Sequence, residues 1–149
     1  VLRILKNISR HIYMLESIED NEKWGRYTFL GYDPKLELAC VKGKMTIKNG
    51  TTIEMDISHP GKMIKKILAD YRSPKLEHLP PFTGGLVGYF AYDYICYAEP
   101  SLKLQAKDEE NFKDVDLMLF DKVIAFDNYR QKIVCIVNAK TEDIDREQF

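Results

Sequence analysis

The residues able to do chemistry are few and widely spread. His11, His59 and His78 lie outside any Gly-x-Ser-x-Gly or Cys–His signature, so the pattern supports no nucleophile with a base and an orienting partner. Gly84, Gly85 and Gly88 form a Gly-Gly-x-x-Gly string without the Lys-Ser/Thr ending of a phosphate loop. The string lies inside a strand pattern, where glycine is a weakness unless a neighbour needs the space. We therefore expect these glycines to allow close packing of another sheet, with Tyr89, Phe90 and Tyr92 as core. Asp108, Glu109 and Glu110 carry the charge to hold a metal ion, but in a polar loop such a run reads as solvated surface. Glu16 and Ser17, at the end of one strand pattern, and Arg26, at the start of the next, are different. An antiparallel return would bring them near one another. A carboxylate, a hydroxyl and a guanidinium suit a small zwitterion, Glu16 and Ser17 taking its ammonium and Arg26 lying near its carboxylate. Each charge-assisted bond is worth about 1.5–3 kcal/mol where burial protects it. A surface ion pair between neighbouring strands accounts for the same three residues more simply.

The elements that must position these residues can be read from periodicity and turn chemistry. Leu2, Leu5, Ile8 and Ile12 have helical spacing. Residues 12–17 read as a strand entering an acidic loop, and 26–30 as a strand ending at Gly31 before an Asp33-Pro34 turn. Residues 36–41, 45–47 and 47–55 form a meander, turning at Lys42-Gly43-Lys44 and at Asn49-Gly50, a dipeptide suited to the positive φ angles of a tight hairpin. Pro60 opens a helix with Ser58 as its cap, running to about Tyr71, with Met63, Ile64, Ile67 and Leu68 on one face. Pro80-Pro81 breaks the chain, the glycine-aromatic strand follows, and residues 94–97 suit a helical turn before a polar loop from 100 to 112. Residues 117–126 and 133–137 are strands joined by an Asp127-Asn128-Tyr129-Arg130 turn. About eight strands joined by hairpins, with two or three helices, predict an α+β domain on a mainly antiparallel sheet.

Composition agrees. In 149 residues, 45% hydrophobic and 30% charged, there is material for a single domain, 1–149, with a real core. The 22 Lys and Arg nearly cancel the 23 Asp and Glu, and a net charge of −1 gives no general attraction for nucleic acid or an anionic membrane. Neither is expected as a partner. Apolar runs such as 123–126 and 133–137 are far below the ~20 residues of a spanning helix. Cys40, Cys96 and Cys135 are odd in number and lack CxxC spacing, which suggests neither a disulfide framework nor a zinc site and suits a reducing cytoplasm. The chain opens on Val1 with no signal-peptide pattern, and Thr141 followed by charged residues reads as the start of a further helix, so the natural protein is expected to continue.

Four stretches carry a family likeness: Met14-Leu-Glu-Ser17, Trp24-Gly-Arg-Tyr-Thr-Phe-Leu-Gly-Tyr-Asp-Pro34, Pro81-Phe-Thr-Gly-Gly-Leu-Val-Gly-Tyr-Phe-Ala-Tyr-Asp93 and Leu119-Phe-Asp-Lys-Val-Ile-Ala-Phe-Asp127. In this order, over nearly the whole chain, they resemble the N-terminal region of anthranilate synthase component I, in the chorismate-utilising group that includes aminodeoxychorismate synthase component I as the nearest alternative. The resemblance implies a region that is itself non-catalytic, packed on a larger C-terminal domain that binds chorismate and magnesium. The full-length enzyme would add ammonia, supplied by a glutamine amidotransferase subunit (component II), to chorismate and release pyruvate to give anthranilate for tryptophan synthesis. It also assigns Glu16, Ser17 and Arg26 to a feedback site for L-tryptophan, and no catalytic or metal-binding residue and no cofactor to this stretch. Alternatives are the equivalent region of the p-aminobenzoate-branch enzyme and a non-catalytic amino-acid-binding module.

Overall fold

Alternation of apolar and polar residues builds two sheets. The computed structural model describes residues 1–17, 25–102 and 109–140. The acidic loop after Ser17, Asp108 and the helix start expected at Thr141 lie outside the described residues. In chain order the elements are α1 (Leu2–Ile8), β1 (Ile12–Leu15), β2 (Tyr27–Tyr32), β3 (Leu36–Val41), β4 (Lys44–Asn49), β5 (Thr51–Asp56), α2 (Pro60–Ala69), β6 (Gly85–Phe90), a 3-10 turn (Tyr92–Tyr94), α3 (Ile95–Ala98), β7 (Val115–Phe120), β8 (Lys122–Asp127) and β9 (Lys132–Val137). One sheet has the order β1-β2-β8-β9 and the other β5-β4-β3-β7-β6. The expected α+β class holds. By compactness the chain divides into two units, one of Val1–Pro34, Ser73–Gly85 and Phe120–Phe149, the other of Lys35–Arg72 and Leu86–Leu119.

In the second unit the period of two is clean. Leu36, Leu38 and Cys40 of β3 point to the same face as Met45 of β4 and Val115, Leu117 and Leu119 of β7, with Cys40 opposite both Met45 and Val115. Ile64 of α2 joins this core, with Met63 and Ile67 packed beside it. Both hairpin turns form as expected, Gly50 having φ +71° and Lys42 and Gly43 also positive φ. The helix differs in detail. Its N-cap is His59 rather than Ser58, without a side-chain capping bond, and it ends at Ala69, although Tyr71 still packs on the core. Pro60 at the first helical position sets the start by its fixed φ.

Tyr97, on α3, ties that helix to the strands. Its hydroxyl donates to Asp114 Oδ2 (2.7 Å), accepts the Gly43 N–H (2.7 Å) and lies 3.6 Å from the buried Cys40 Sγ. Asp114 Oδ2 also accepts the Lys42 N–H at 2.7 Å. Burial first, then the bond to Asp114, holds the Tyr97 phenol well above its ordinary range, so it stays a donor. Tyr97→Phe strands the Gly43 N–H and should cost about 1–3 kcal/mol in urea unfolding, with little change in the circular dichroism of the folded state.

The first unit corrects the expected strand 117–126. The run is broken at Asp121, and its halves enter different sheets, β7 in one and β8 in the other. The reason is a polar knot. The Asp121 carbonyl accepts the Asn138 N–H at 2.9 Å and Asn138 Nδ2 at 3.1 Å, while Nδ2 also donates to Thr83 O at 2.7 Å. β2 continues through Gly31 to Tyr32, because Gly31 opposes Tyr13 and leaves room for that ring to lie across it. Tyr13 meets Phe120 and Phe82 edge-on, and Phe82 meets Phe29 in the same way. Its buried hydroxyl has no hydrogen-bond partner among the described residues, and burial pushes its pKa up to about 12. The helical spacing at the N-terminus holds for Leu2, Leu5 and Ile8, but Ile12 belongs to β1.

The glycine-aromatic strand is corrected twice. What needs the space at Gly88 is the backbone of the neighbouring strand in the same sheet, not another sheet: a Cβ there would meet the Asp116 carbonyl oxygen. Tyr89, Phe90 and Tyr92 are exposed rather than core, Tyr92 to 84%. β6 is an edge strand, so aromatic type there does not report burial.

Candidate functional site

β1 ends at Leu15 opposite Phe29 of β2, which places Glu16 and Ser17 at the end of the β1–β2 pair where Arg26 enters β2. Glu16 and Ser17 are exposed, and Arg26 is half-buried. The partner found for Arg26 is Asp127, the last residue of β8. Nε donates to Oδ1 at 3.1 Å and Nη2 to Oδ2 at 2.7 Å, the two-pronged geometry that a planar guanidinium makes best. The register brings them together, since Tyr27, next to Arg26, stands opposite Asp127.

Asp127 is 5% exposed and takes a third donor, the Arg130 N–H, at 2.9 Å on Oδ1. These bonds, with that from Arg26 foremost, hold its carboxyl down at about 2, and the same bond raises the Arg26 guanidinium. The Arg26 plane is further held by the Tyr27 ring, 4.8 Å from Cζ to centroid, and by that of Tyr129 at 5.8 Å. Asn128 closes the corner: its N–H donates to Arg26 O (2.8 Å), and its Nδ2 reaches Gly25 O and Thr28 Oγ1, both at 3.3 Å. Arg26 is thus a fixed cation whose charge is already balanced. Nη1 is the guanidinium nitrogen that the Asp127 pair does not use, and Glu16 is a carboxylate at the same end of the sheet.

Sequence reasoning missed Asp127, Asn128 and Tyr129 as members of this corner. The available signal was weak: Asp127 opens a turn in its own right, so its type was already accounted for. Among the described residues no group of three or more His, Cys, Asp or Glu is placed to hold a metal ion. Among the described residues, too, no helix is long and apolar enough to cross a membrane. A shallow cavity of about 380 Å³ over Ala39, Val41, Lys42, Lys44 and Thr46 in the second unit offers two cations and no acid–base pair.

Fold and corner together define an α+β region built on antiparallel strands, with a rigid charged corner. Comparison with known proteins makes this particular. The chain is 36% identical over 137 residues to anthranilate synthase component 1 of Acinetobacter calcoaceticus, covering 88% of this chain and 28% of that protein. It is 38% identical over 128 residues to anthranilate synthase component 1 of Acetivibrio thermocellus, covering 85% and 26%. The crystal structure of anthranilate synthase component I from Streptococcus pneumoniae TIGR4 superposes with a TM-score of 0.63 at 25% identity, over 94% of this chain and 29% of that one. No protein-family model matches the chain. Over the stretch it spans, the chain belongs to the anthranilate synthase component I family, as the four motifs had implied. It spans about a quarter of the length of the relatives it matches.

Proposed function

We propose that this chain is the N-terminal, tryptophan-sensing region of an anthranilate synthase component I. The observation that carries the reading is similarity to proteins of that name along 85–88% of the chain. In this reading the family-length protein converts chorismate and ammonia to anthranilate and pyruvate in the cytoplasm, with ammonia delivered by a glutamine amidotransferase subunit. The larger remainder of the protein binds chorismate and magnesium, and no catalytic step falls to the described residues.

The chemistry of the corner fits a regulatory amino acid. Glu16 and Ser17 supply acceptors for an ammonium. Arg26, with Nε and Nη2 committed to Asp127, offers Nη1 to the edge of a carboxylate, so the ammonium end is the stronger anchor. The rest of the ligand is met by parts of the protein beyond this chain. Inhibition follows if tryptophan binds the inactive arrangement more tightly than the active one, each tenfold of preference shifting the balance by about 1.4 kcal/mol.

Calorimetric titration of L-tryptophan into the family-length protein tests this. Binding is expected, with a loss of at least about 100-fold in affinity for Ser17→Phe and unchanged activity in the absence of tryptophan. The 149-residue chain alone should bind poorly. A Ser17→Phe protein with lowered uninhibited activity would make Ser17 structural. No binding by the family-length protein would remove the sensing role and favour the p-aminobenzoate branch or an unregulated enzyme.

A further inference from the structure

The four strands of the first unit measure what a ligand at the charged corner can reach. In the order β1-β2-β8-β9, Glu16 follows β1, Arg26 precedes β2, Asp127 ends β8 and Lys132 opens β9. Neighbouring strands lie about 4.8 Å apart. In an α-amino acid a single carbon separates the ammonium from the carboxylate, so a ligand whose ammonium is held at Glu16 sets its carboxylate at the start of β2, beside Arg26. Lys132 is about 14 Å from β1 by the same measure, and Arg130, on the β8–β9 turn, also stands beyond β2.

The two charged groups that such a ligand meets are not equivalent. Glu16 is exposed and makes no ion pair among the described residues. Arg26 is bound through two nitrogens, at 3.1 and 2.7 Å, to the buried Asp127, and the Tyr27 and Tyr129 rings further hold its plane. A guanidinium and a carboxylate so close together present a dipole to a third group, and its pull on an anion falls off much faster than that of a lone charge. From the position of the ligand, Glu16 is the charge that remains. We propose that Asp127, by balancing Arg26, makes the corner select an ammonium and disregard the carboxylate, so that the primary amide of an aromatic amino acid is accepted nearly as well as the acid. The inference deepens the tryptophan-sensing reading and rests on it.

Calorimetric titration of the family-length protein compares L-tryptophan, L-tryptophanamide and indole-3-propionate, which lacks the ammonium. It is run at about pH 6.5, below the ~7.7–8.0 of an α-amino group next to an amide. The amide is expected to bind within about tenfold of the acid, and indole-3-propionate about 100-fold or more weaker than either. An amide about 100-fold weaker than the acid, or indole-3-propionate as tight as the amide, overturns the proposal. Asp127→Asn keeps the shape of the side chain but leaves the Arg26 charge unbalanced, so the preference for acid over amide should rise about tenfold. General damage to the fold lowers both affinities and leaves their ratio alone. An unchanged ratio in a folded Asp127→Asn protein overturns the assignment to Asp127. Should that variant not fold, Arg26→Gln decides: removal of a balanced charge leaves the ratio within about threefold of wild type, and a shift of about tenfold towards the amide overturns the proposal. Failure of L-tryptophan itself to bind would remove the sensing reading and this inference with it, whereas tryptophan binding with strong discrimination against the amide removes the inference alone.

Discussion

Replacing Gly88 with valine is expected to abolish stable folding of the second unit, whereas Gly50→Ala leaves it folded. At Gly88 an added Cβ falls 1.9 Å from the Asp116 carbonyl oxygen and 2.9 Å from its carbon and from Leu117 Cα, all backbone atoms of β7. No rotamer change relieves such a contact, and the glycine also holds φ at +155°, which L side chains rarely adopt. β7 cannot retreat cheaply, because Leu117 and Val115 beside the contact lie in the core opposite Leu38 and Cys40. The cost should therefore exceed about 4 kcal/mol, a large share of the 5–15 kcal/mol that holds an ordinary domain together. Gly50 also has positive φ, but an added Cβ meets nothing within 4 Å, so alanine there costs only backbone strain of about 1 kcal/mol. Urea unfolding followed by circular dichroism measures both. A Gly88→Val protein with a wild-type midpoint would mean that β6 and β7 separate without loss, and that the glycine serves something other than their close approach.

That contrast also marks how far the sequence was legible. Local signals were accurate: Asn49-Gly50 specified a hairpin because few residues accept its backbone angles, and Pro60 started α2 because its ring fixes φ. Signals that depend on distant neighbours were not. The pairing of β3 with β7, the pairing of β2 with β8 and the Arg26–Asp127 bond, which spans 101 positions, leave no local periodicity to read. Asp121 looked like one polar residue within a strand, yet its carbonyl, held by Asn138, sends β7 and β8 into different sheets. Tyr89, Phe90 and Tyr92 misled for a further reason. Aromatic type is an index of burial in the complete molecule, and a strand at a sheet edge can hold that surface for something outside its own unit. For the site, residue types at 16, 17 and 26 suggested a charged corner, but the carboxylate that orients Arg26 was invisible, because Asp127 already had a sufficient role as a turn residue.

Asp127→Ala should be the most damaging change in the first unit that leaves the apolar core intact. The substitution strips acceptors from three donors at once, two on Arg26 and the Arg130 N–H, in a place where Asp127 itself is almost fully covered. Arg26 is a quarter exposed, so water recovers part of its loss, and the expected result is a fall in Tm of about 5–10 °C. Asp127→Asn keeps the shape and one acceptor and should lose less. Acid separates the charge from the hydrogen bonds. The Asp127 carboxyl is depressed to about 2 in the folded protein against about 3.9 for a free aspartate. Its contribution is therefore fully present above about pH 4 and disappears as pH falls towards 2. The urea midpoint of the wild type should accordingly drop more steeply across that window than that of Asp127→Asn; parallel curves would mean that the ion pair adds nothing to stability. The same variants test the role of Arg26 in the corner. If Asp127 acts by orienting the guanidinium, Asp127→Ala and Arg26→Ala should weaken tryptophan binding to the family-length protein equally, and the double variant no further than either. A full additive loss would assign Asp127 a contact of its own with the ligand.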